Sequence, residues 1–261
     1  MWLPKALLRA LITSGVVLAG AAPAAGAAPQ PPTVVLVHGA YADPTSWDGV
    51  AEQLRADGYR VVAPDNPLRG PAHDAAAVER VLADIDGPVV LVGHSYGGTV
   101  ITDVEADNVT DLVYIAAFAP QAGEPTQLAL DPFRFPGSRL LPPALAVKPA
   151  DTGPGLDTYI EPAYFHDVFA QDVDAATAAD MAARQRSLAL TATLEPPGSA
   201  LWSTTSTWYL VAGEDRVIPP ASQRFMAQRI NARTSEVPTS HAAPVSRPDV
   251  VAALIDQAAR E

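Results

Sequence analysis

A six-stranded, doubly wound α/β sheet with an inserted helical cap is the architecture that this sequence predicts. From Thr33 onward, short β-branched runs alternate with longer helical patterns, the signature of βαβ units and a parallel sheet. Most of these runs are continuously apolar, which suits strands covered by helices on both faces. Roughly 90 residues separate the fourth run from the fifth. A structureless loop that long does not fit a compact domain, so it is read as an insertion.

The elements follow in order. Residues 1–27 read as an export signal rather than as fold: Lys5 and Arg9 form a short cationic start, 11–22 is uncharged and apolar, and Ala25 and Ala27 offer an A-x-A cleavage site. A membrane anchor is the rival reading, but the apolar run is shorter than the roughly 20 residues that span a bilayer. The strands expected are 33–37, 60–63, 89–92, 112–116, 208–212 and 235–237. Helical spacing covers 48–57, 74–84, 96–105, 221–230 and 248–260. Ser246, Pro248 and Asp249 suggest a capping box and a first-turn proline at the start of the last helix. The core is thus expected in 28–120 and 204–261, with the cap at 121–203. The cap has a Pro-rich entry, helices near 162–170 and 173–186, and an exit past Pro196, Pro197 and Gly198. Phe133, Phe135, Tyr159, Tyr164, Phe165, Phe169 and Trp202 fall inside it; most are expected to pack the cap, and a few to line an apolar pocket.

Composition narrows the partners. The 261-residue chain carries a formal charge of −12, and loss of Lys5 and Arg9 with the signal takes it to about −14. Such a surface repels phosphate backbones and anionic lipid, so neither nucleic acid nor a membrane surface is an expected partner of the mature chain. Without cysteine there is no disulfide framework and no lipid-modified cysteine at the cleavage site. No metal-ligand cluster, phosphate loop or dinucleotide fingerprint appears, and no cofactor is expected.

The chemistry is concentrated in four loops. Gly93-His94-Ser95-Tyr96-Gly97-Gly98 follows an expected strand and precedes an expected helix. A bare G-x-S-x-G occurs by chance in about one chain of this length in ten, so the context carries the argument. A strand, a sharp turn that exposes a nucleophilic serine, and a helix are what a nucleophile elbow needs, with glycines where a side chain would strike backbone. Ser95 is the candidate nucleophile. The run 34–37 ends in His38-Gly39-Ala40, and the N–H groups of Ala40 and Tyr96 are the candidate donors to a tetrahedral oxyanion; Tyr96 also gains from a helix N-terminus. His38 itself reads as a buried, hydrogen-bonded residue that shapes the loop. After the run 208–212, Glu214 and Asp215 stand side by side, and Asp215 is preferred because its shorter chain can be held rigidly against a histidine; Glu124 is an outside candidate. Chain order nucleophile, acid, base puts the base in the last loop, at His241. His73, His94 and His166 read as structural.

The stretches HGAY, VVLVGHSYGG, LVYIAAFAP, WYLVAGEDRVIPP, QRFMAQR and SHAAPVSRPDVVAALI resemble the small bacterial esterase-like branch of the alpha/beta-hydrolase superfamily, akin to the plant methylesterase and hydroxynitrile lyase group. The resemblance implies the alpha/beta-hydrolase fold, a triad of Ser95, Asp215 and His241, and oxyanion donors in the H-G-A loop and the elbow. With little chain between the signal and Thr33, the two leading antiparallel strands of the larger fold are not expected, and the strand order becomes 2-1-3-4-5-6. Ligands then bind between the first and third strands, where the Ala40 loop and Ser95 emerge. Two departures stand out. Asp65-Asn66-Pro67-Leu68-Arg69-Gly70 replaces the usual D-x-x-G-x-G, so that loop is expected to differ in shape. Ala242 stands where the lyases have a lysine, which disfavours cyanohydrin cleavage.

The expectation is a secreted serine hydrolase that acts on a small-molecule carboxylic ester with an apolar acyl or aryl part. Amide, lactone and thioester bonds stay open. The rivals are a cofactor-free perhydrolase or lyase on the same site, and a binding protein that kept the fold without catalysis.

Overall fold

The structure is a computed structural model that describes residues 1–2, 31–150 and 154–261. The chain divides after Gln30, and the fold below is that of Pro31–Glu261. Apart from Met1 and Trp2, the expected export signal lies outside the described residues.

The elements run β1 (Thr33–Val37), α1 (Asp48–Ala56), β2 (Val61–Val62), α2 (Pro71–Ala83), β3 (Val89–His94), α3 (Tyr96–Asp103) and β4 (Val109–Ile115). Next come β5 (Leu145–Pro149), β6 (Leu156–Ile160), α4 (Pro162–Phe169), α5 (Ala175–Arg184) and β7 (Leu188–Ala189). The chain closes with β8 (Ser206–Ala212), α6 (Pro220–Arg229), β9 (Arg233–Val237), a single turn α7 (Ala243–Ser246) and α8 (Pro248–Arg260).

Six strands pair in the order β2-β1-β3-β4-β8-β9, every neighbour parallel. Counted within this sheet alone, that is the order 2-1-3-4-5-6 read from the sequence. Successive side chains of a strand point to opposite faces, and the apolar runs divide accordingly. Val35, Val37, Leu91, Tyr114 and Tyr209 join Val78 and Leu82 of α2, Val100 and Ile101 of α3 and Met226 of α6. Val34, Leu36, Val90, Val92, Val113 and Leu210 face the other way, onto Val50 and Leu54 of α1 and Val251, Leu254 and Ile255 of α8. In α8 the buried positions recur at helical spacing, and each large side chain so buried contributes about 1.5–3 kcal/mol. The sheet edges are weak by construction: β2 has two residues and β9 reads Arg-Thr-Ser-Glu-Val with four exposed positions.

Two details differ from expectation. Ser246 does not cap α8; α7 intervenes, Arg247 takes the N-cap position without a side-chain bond, and Ser246 Oγ instead pairs with Thr239 Oγ1 at 2.7 Å. The segment between β4 and β8 is not helical throughout. Besides α4 and α5 it holds a three-stranded antiparallel sheet, β5-β6-β7, with Leu145 opposite Ile160 and Asp157 opposite Ala189. Two five-residue runs flanking the Gly- and Pro-rich stretch 151–155 are a hairpin pattern that its proline content disguises.

Candidate active site

Ser95 occupies the turn from β3 into α3 with φ 54° and ψ −122°. This left-handed region is unfavourable for any residue with a Cβ, and holding it costs on the order of 1–3 kcal/mol. The surrounding backbone enforces it: Ser95 N–H donates to Ile115 at 3.2 Å, and Ser95 C=O accepts from Gly98 N–H at 3.0 Å and Phe118 N–H at 3.1 Å. The elbow glycines are required by contact. A Cβ on Gly93 would lie 2.6 Å from the Gly97 carbonyl oxygen, and one on Gly97 would lie 2.5 Å from that of Val37.

His241 sits between β9 and α7, and Asp215 in the turn from β8 into α6. Their side chains meet at Ser95 in one buried line. His241 Nε2 is 2.8 Å from Ser95 Oγ, and His241 Nδ1 is 2.7 Å from Asp215 Oδ2. Because a carboxylate oxygen can only accept, Nδ1 carries the proton and the Nε2 lone pair receives the serine hydroxyl. All three residues are buried, His241 completely. Asp215 is oriented by further donors: Val217 N–H at 2.7 Å and Ile218 N–H at 3.0 Å reach Oδ1, and Gln223 Nε2 reaches Oδ2 at 2.7 Å.

Gln223, the first residue of the QRFMAQR stretch, is assigned no role by the sequence. It is fully buried on α6, and while Nε2 bonds Asp215 and the Ile218 carbonyl, its Oε1 accepts from Ala212 N–H at 2.9 Å.

The other candidates lie apart from this line. Glu214 is exposed, and Glu124 pairs with Arg229 at 2.7 Å. His73 is exposed beside Asp74, and His166 bonds the Val173 carbonyl at 2.9 Å. His94 is buried, with Nε2–H donating to the His241 carbonyl at 2.8 Å and its ring 4.8 Å from the His241 ring. Burial holds His94 well below the usual histidine range, so it stays neutral beside His241.

The loop after β1 is built around His38. Its Nδ1–H donates to Gly39 C=O at 2.9 Å, its Nε2 accepts from Asn66 N–H at 3.0 Å, and Asn66 Nδ2 donates to His38 C=O at 2.9 Å. Burial lowers this ring to about 4. Asn66, which braces the oxyanion loop, stands at a position that D-x-x-G-x-G leaves free; the departure itself is Leu68, held at φ 61° where that pattern has glycine. A Cβ on Gly39 would fall 2.6 Å from Ser95 Cβ, which places the loop directly against the nucleophile. The Ala40 and Tyr96 N–H groups donate to no described residue. Tyr96 is the first residue of α3, and its hydroxyl is anchored to buried Asp74 at 3.0 Å.

Of the cap aromatics, Phe135, Phe165 and Phe169 are buried, and the Phe169 and His241 rings meet edge-on with centroids 4.8 Å apart; Phe133 is 98% exposed. A cavity of about 200 Å³ lies between the loop after Ala40, α5 and α7, bordered by Ala42, Asp43, Met181 and Pro244. None of the seven cap aromatics lines it, and neither does Ser95, Asp215 or His241.

Residues 34–254 match the alpha/beta hydrolase family. A pyrethroid hydrolase of Sphingobium wenxiniae is 31% identical over 245 residues, covering 85% of each chain. A carbendazim hydrolyzing esterase of Nocardioides sp. is 38% identical over 117 residues, 39% of this chain and 48% of that one. Among solved structures, polyneuridine aldehyde esterase superposes with a TM-score of 0.75 at 19% identity, over 87% of this chain and 99% of that chain.

Proposed function

This chain belongs to the alpha/beta hydrolase family, and on that premise we propose that it is a serine hydrolase that cleaves a carboxylic ester of a small or medium apolar molecule through an acyl intermediate on Ser95. The observation that carries the reading is the continuous hydrogen-bonded line from Asp215 through His241 to Ser95. The named activities of the two relatives, a pyrethroid hydrolase and a carbendazim hydrolyzing esterase, favour small-molecule substrates over peptides.

In this mechanism Ser95 Oγ attacks the ester carbonyl while His241 Nε2 takes its proton. Asp215 stabilises the imidazolium that forms, and neutral His94 adds no opposing charge 4.8 Å away. The unpartnered N–H groups of Ala40 and Tyr96 receive the oxyanion, a contribution of roughly 10²–10³ in rate for each such donor. The imidazolium then returns its proton to the leaving alkoxide. Water, deprotonated by the same imidazole, releases the acid and restores Ser95. Residues 121–203 serve as the cap over this site, and the mature protein is exported after removal of residues 1–27.

A panel of p-nitrophenyl esters of increasing acyl length, run beside Ser95→Ala, tests the reading. Ser95→Ala is expected to lower kcat by roughly 10⁴–10⁶ with the fold intact. Retention of most activity in Ser95→Ala overturns it, and turnover that requires peroxide would assign the site to perhydrolysis instead.

A further inference from the structure

The turn joining α4 to α5 reaches both loops that carry the acid and the base. Gln171 Nε2 donates to the carbonyl of Glu214, the residue before Asp215, at 2.7 Å. Its neighbour Asp172 receives two hydrogen bonds on a single oxygen, from Thr239 Oγ1 at 2.8 Å and from Ser240 N–H at 2.9 Å. Ser240 immediately precedes His241. Two residues upstream of Gln171, Phe169 rests its ring edge on the His241 imidazole. Three residues of the inserted segment, Phe169, Gln171 and Asp172, therefore touch the base, the acid loop and the base loop.

The backbone beneath these contacts is thin. β8 and β9 end at Ala212 and Val237, and beyond them two backbone bonds among the described residues, Gly213 N–H to Val237 at 2.8 Å and Glu214 N–H to Thr239 at 3.1 Å, join the two loops beside the Asp215–His241 pair, while His94 Nε2 holds the His241 carbonyl. Asp172 supplies a charged acceptor at that point, and charge-assisted hydrogen bonds are about twice as strong as neutral ones. Burial pushes its carboxyl up, but hydrogen bonds from Ser240, Thr239 and Ser246 outweigh this and hold it below the usual carboxylate range.

We propose that Asp172, assisted by Gln171, is a positioning residue for the base: it sets the 239–241 loop against the acid loop, so that His241 stays in reach of Asp215 and Ser95 at once. The inference rests on the triad reading above. A displacement of about 1 Å at a reacting group costs on the order of 10²-fold in rate, and loss of the Asp172 carboxylate removes both bonds that tie Thr239 and Ser240 to the turn between α4 and α5.

The test compares Asp172→Ala, Asp172→Asn and Gln171→Ala in the full chain, with kcat, KM and melting temperature measured on p-nitrophenyl butyrate. Asp172→Ala is expected to lose roughly 10- to 100-fold in kcat with little change in KM. Asp172→Asn keeps an oxygen that accepts both hydrogen bonds, and is expected to recover most of that loss. Wild-type kcat in Asp172→Ala, or an Asn variant no better than Ala, overturns the proposal, because a merely structural residue would move the melting temperature alone. If Asp172→Ala does not fold, Gln171→Ala carries the test: a kcat loss at constant KM supports the positioning role, and wild-type kcat removes it. Labelling of the unaltered protein by a fluorophosphonate keeps the two readings apart. Failure to label Ser95 sinks the serine-hydrolase reading, whereas labelling together with unchanged Asp172→Ala kinetics sinks only the positioning role.

Discussion

Replacing Asp215 by Asn keeps the shape of the side chain and exchanges one oxygen for a nitrogen. Oδ1 accepts from Val217 N–H at 2.7 Å and Ile218 N–H at 3.0 Å, while Oδ2 faces His241 Nδ1 at 2.7 Å. The two backbone donors cannot move, so they claim the amide oxygen. Turning the NH₂ toward them would strand two buried N–H groups at about 1–3 kcal/mol each. The amide nitrogen is thereby aimed at His241 with only hydrogens to offer. Nδ1 must become an acceptor, the ring proton moves to Nε2, and the imidazole no longer accepts the Ser95 hydroxyl. By analogy with serine proteases the loss is about 10⁴ in kcat, or about 5.5 kcal/mol of transition-state stabilisation. Steady-state hydrolysis of one p-nitrophenyl ester by Asp215→Asn, Glu214→Gln and Glu124→Gln measures it, with a thermal melt to certify folding. The exposed Glu214 and the Arg229-paired Glu124 are each expected to change the activation barrier by no more than about 0.5 kcal/mol. A near wild-type Asp215→Asn beside an inactive Glu124→Gln would refute the assignment.

Three further outcomes are expected. The unfolded chain protonates His38 near 6.5, whereas the folded chain resists until about 4, because complete burial disfavours the charged ring. Stability therefore falls as pH drops through that window, by about 3 kcal/mol between pH 7 and pH 4 for this group. Urea midpoints at the two pH values measure the drop, and an equal drop in His38→Gln would show that another group is responsible. Gly97→Ala forces a Cβ to 2.5 Å from the Val37 carbonyl and should cost about 1–3 kcal/mol or more of stability; an unchanged melting temperature would mean that the elbow is looser than its contacts imply. The exported protein should begin near Ala28, read by N-terminal sequencing, and an intact Met1 in a membrane fraction would indicate an anchor instead.

Much of the fold was legible in the chain because its signals are local. Runs such as 34–37 and 89–92 are apolar at every position, which only a strand covered on both faces requires, and their order along the chain with right-handed crossovers leaves few parallel arrangements. The elbow is equally local: Gly93, Ser95 and Gly97 specify a turn between two such elements, and the last loop has one histidine. The antiparallel sheet β5-β6-β7 escaped because short strands in a Pro-rich stretch lack a distinctive period, and their pairing partners, Leu145 and Ile160 among them, are set by register rather than by composition.

From residue types and spacing come the strands of the sheet and the three loops where Ser95, Asp215 and His241 stand, while the strand order followed from the resemblance to the alpha/beta-hydrolase superfamily. Beside the family resemblance, only side-chain length favoured one carboxylate over the other, because Glu214 and Asp215 are neighbours and differ by one methylene. Folding separates them: the turn after β8 sends Glu214 to solvent and buries Asp215 under Val217, Ile218 and Gln223. The bonds from Asn66 to His38 and from Asp172 to Thr239 and Ser240 likewise join residues 28, 67 and 68 positions apart. Such contacts leave no periodicity in the chain, since a hydrogen bond depends on where two atoms arrive to within a few tenths of an ångström, and that is settled only when the packed sheet brings its loops together.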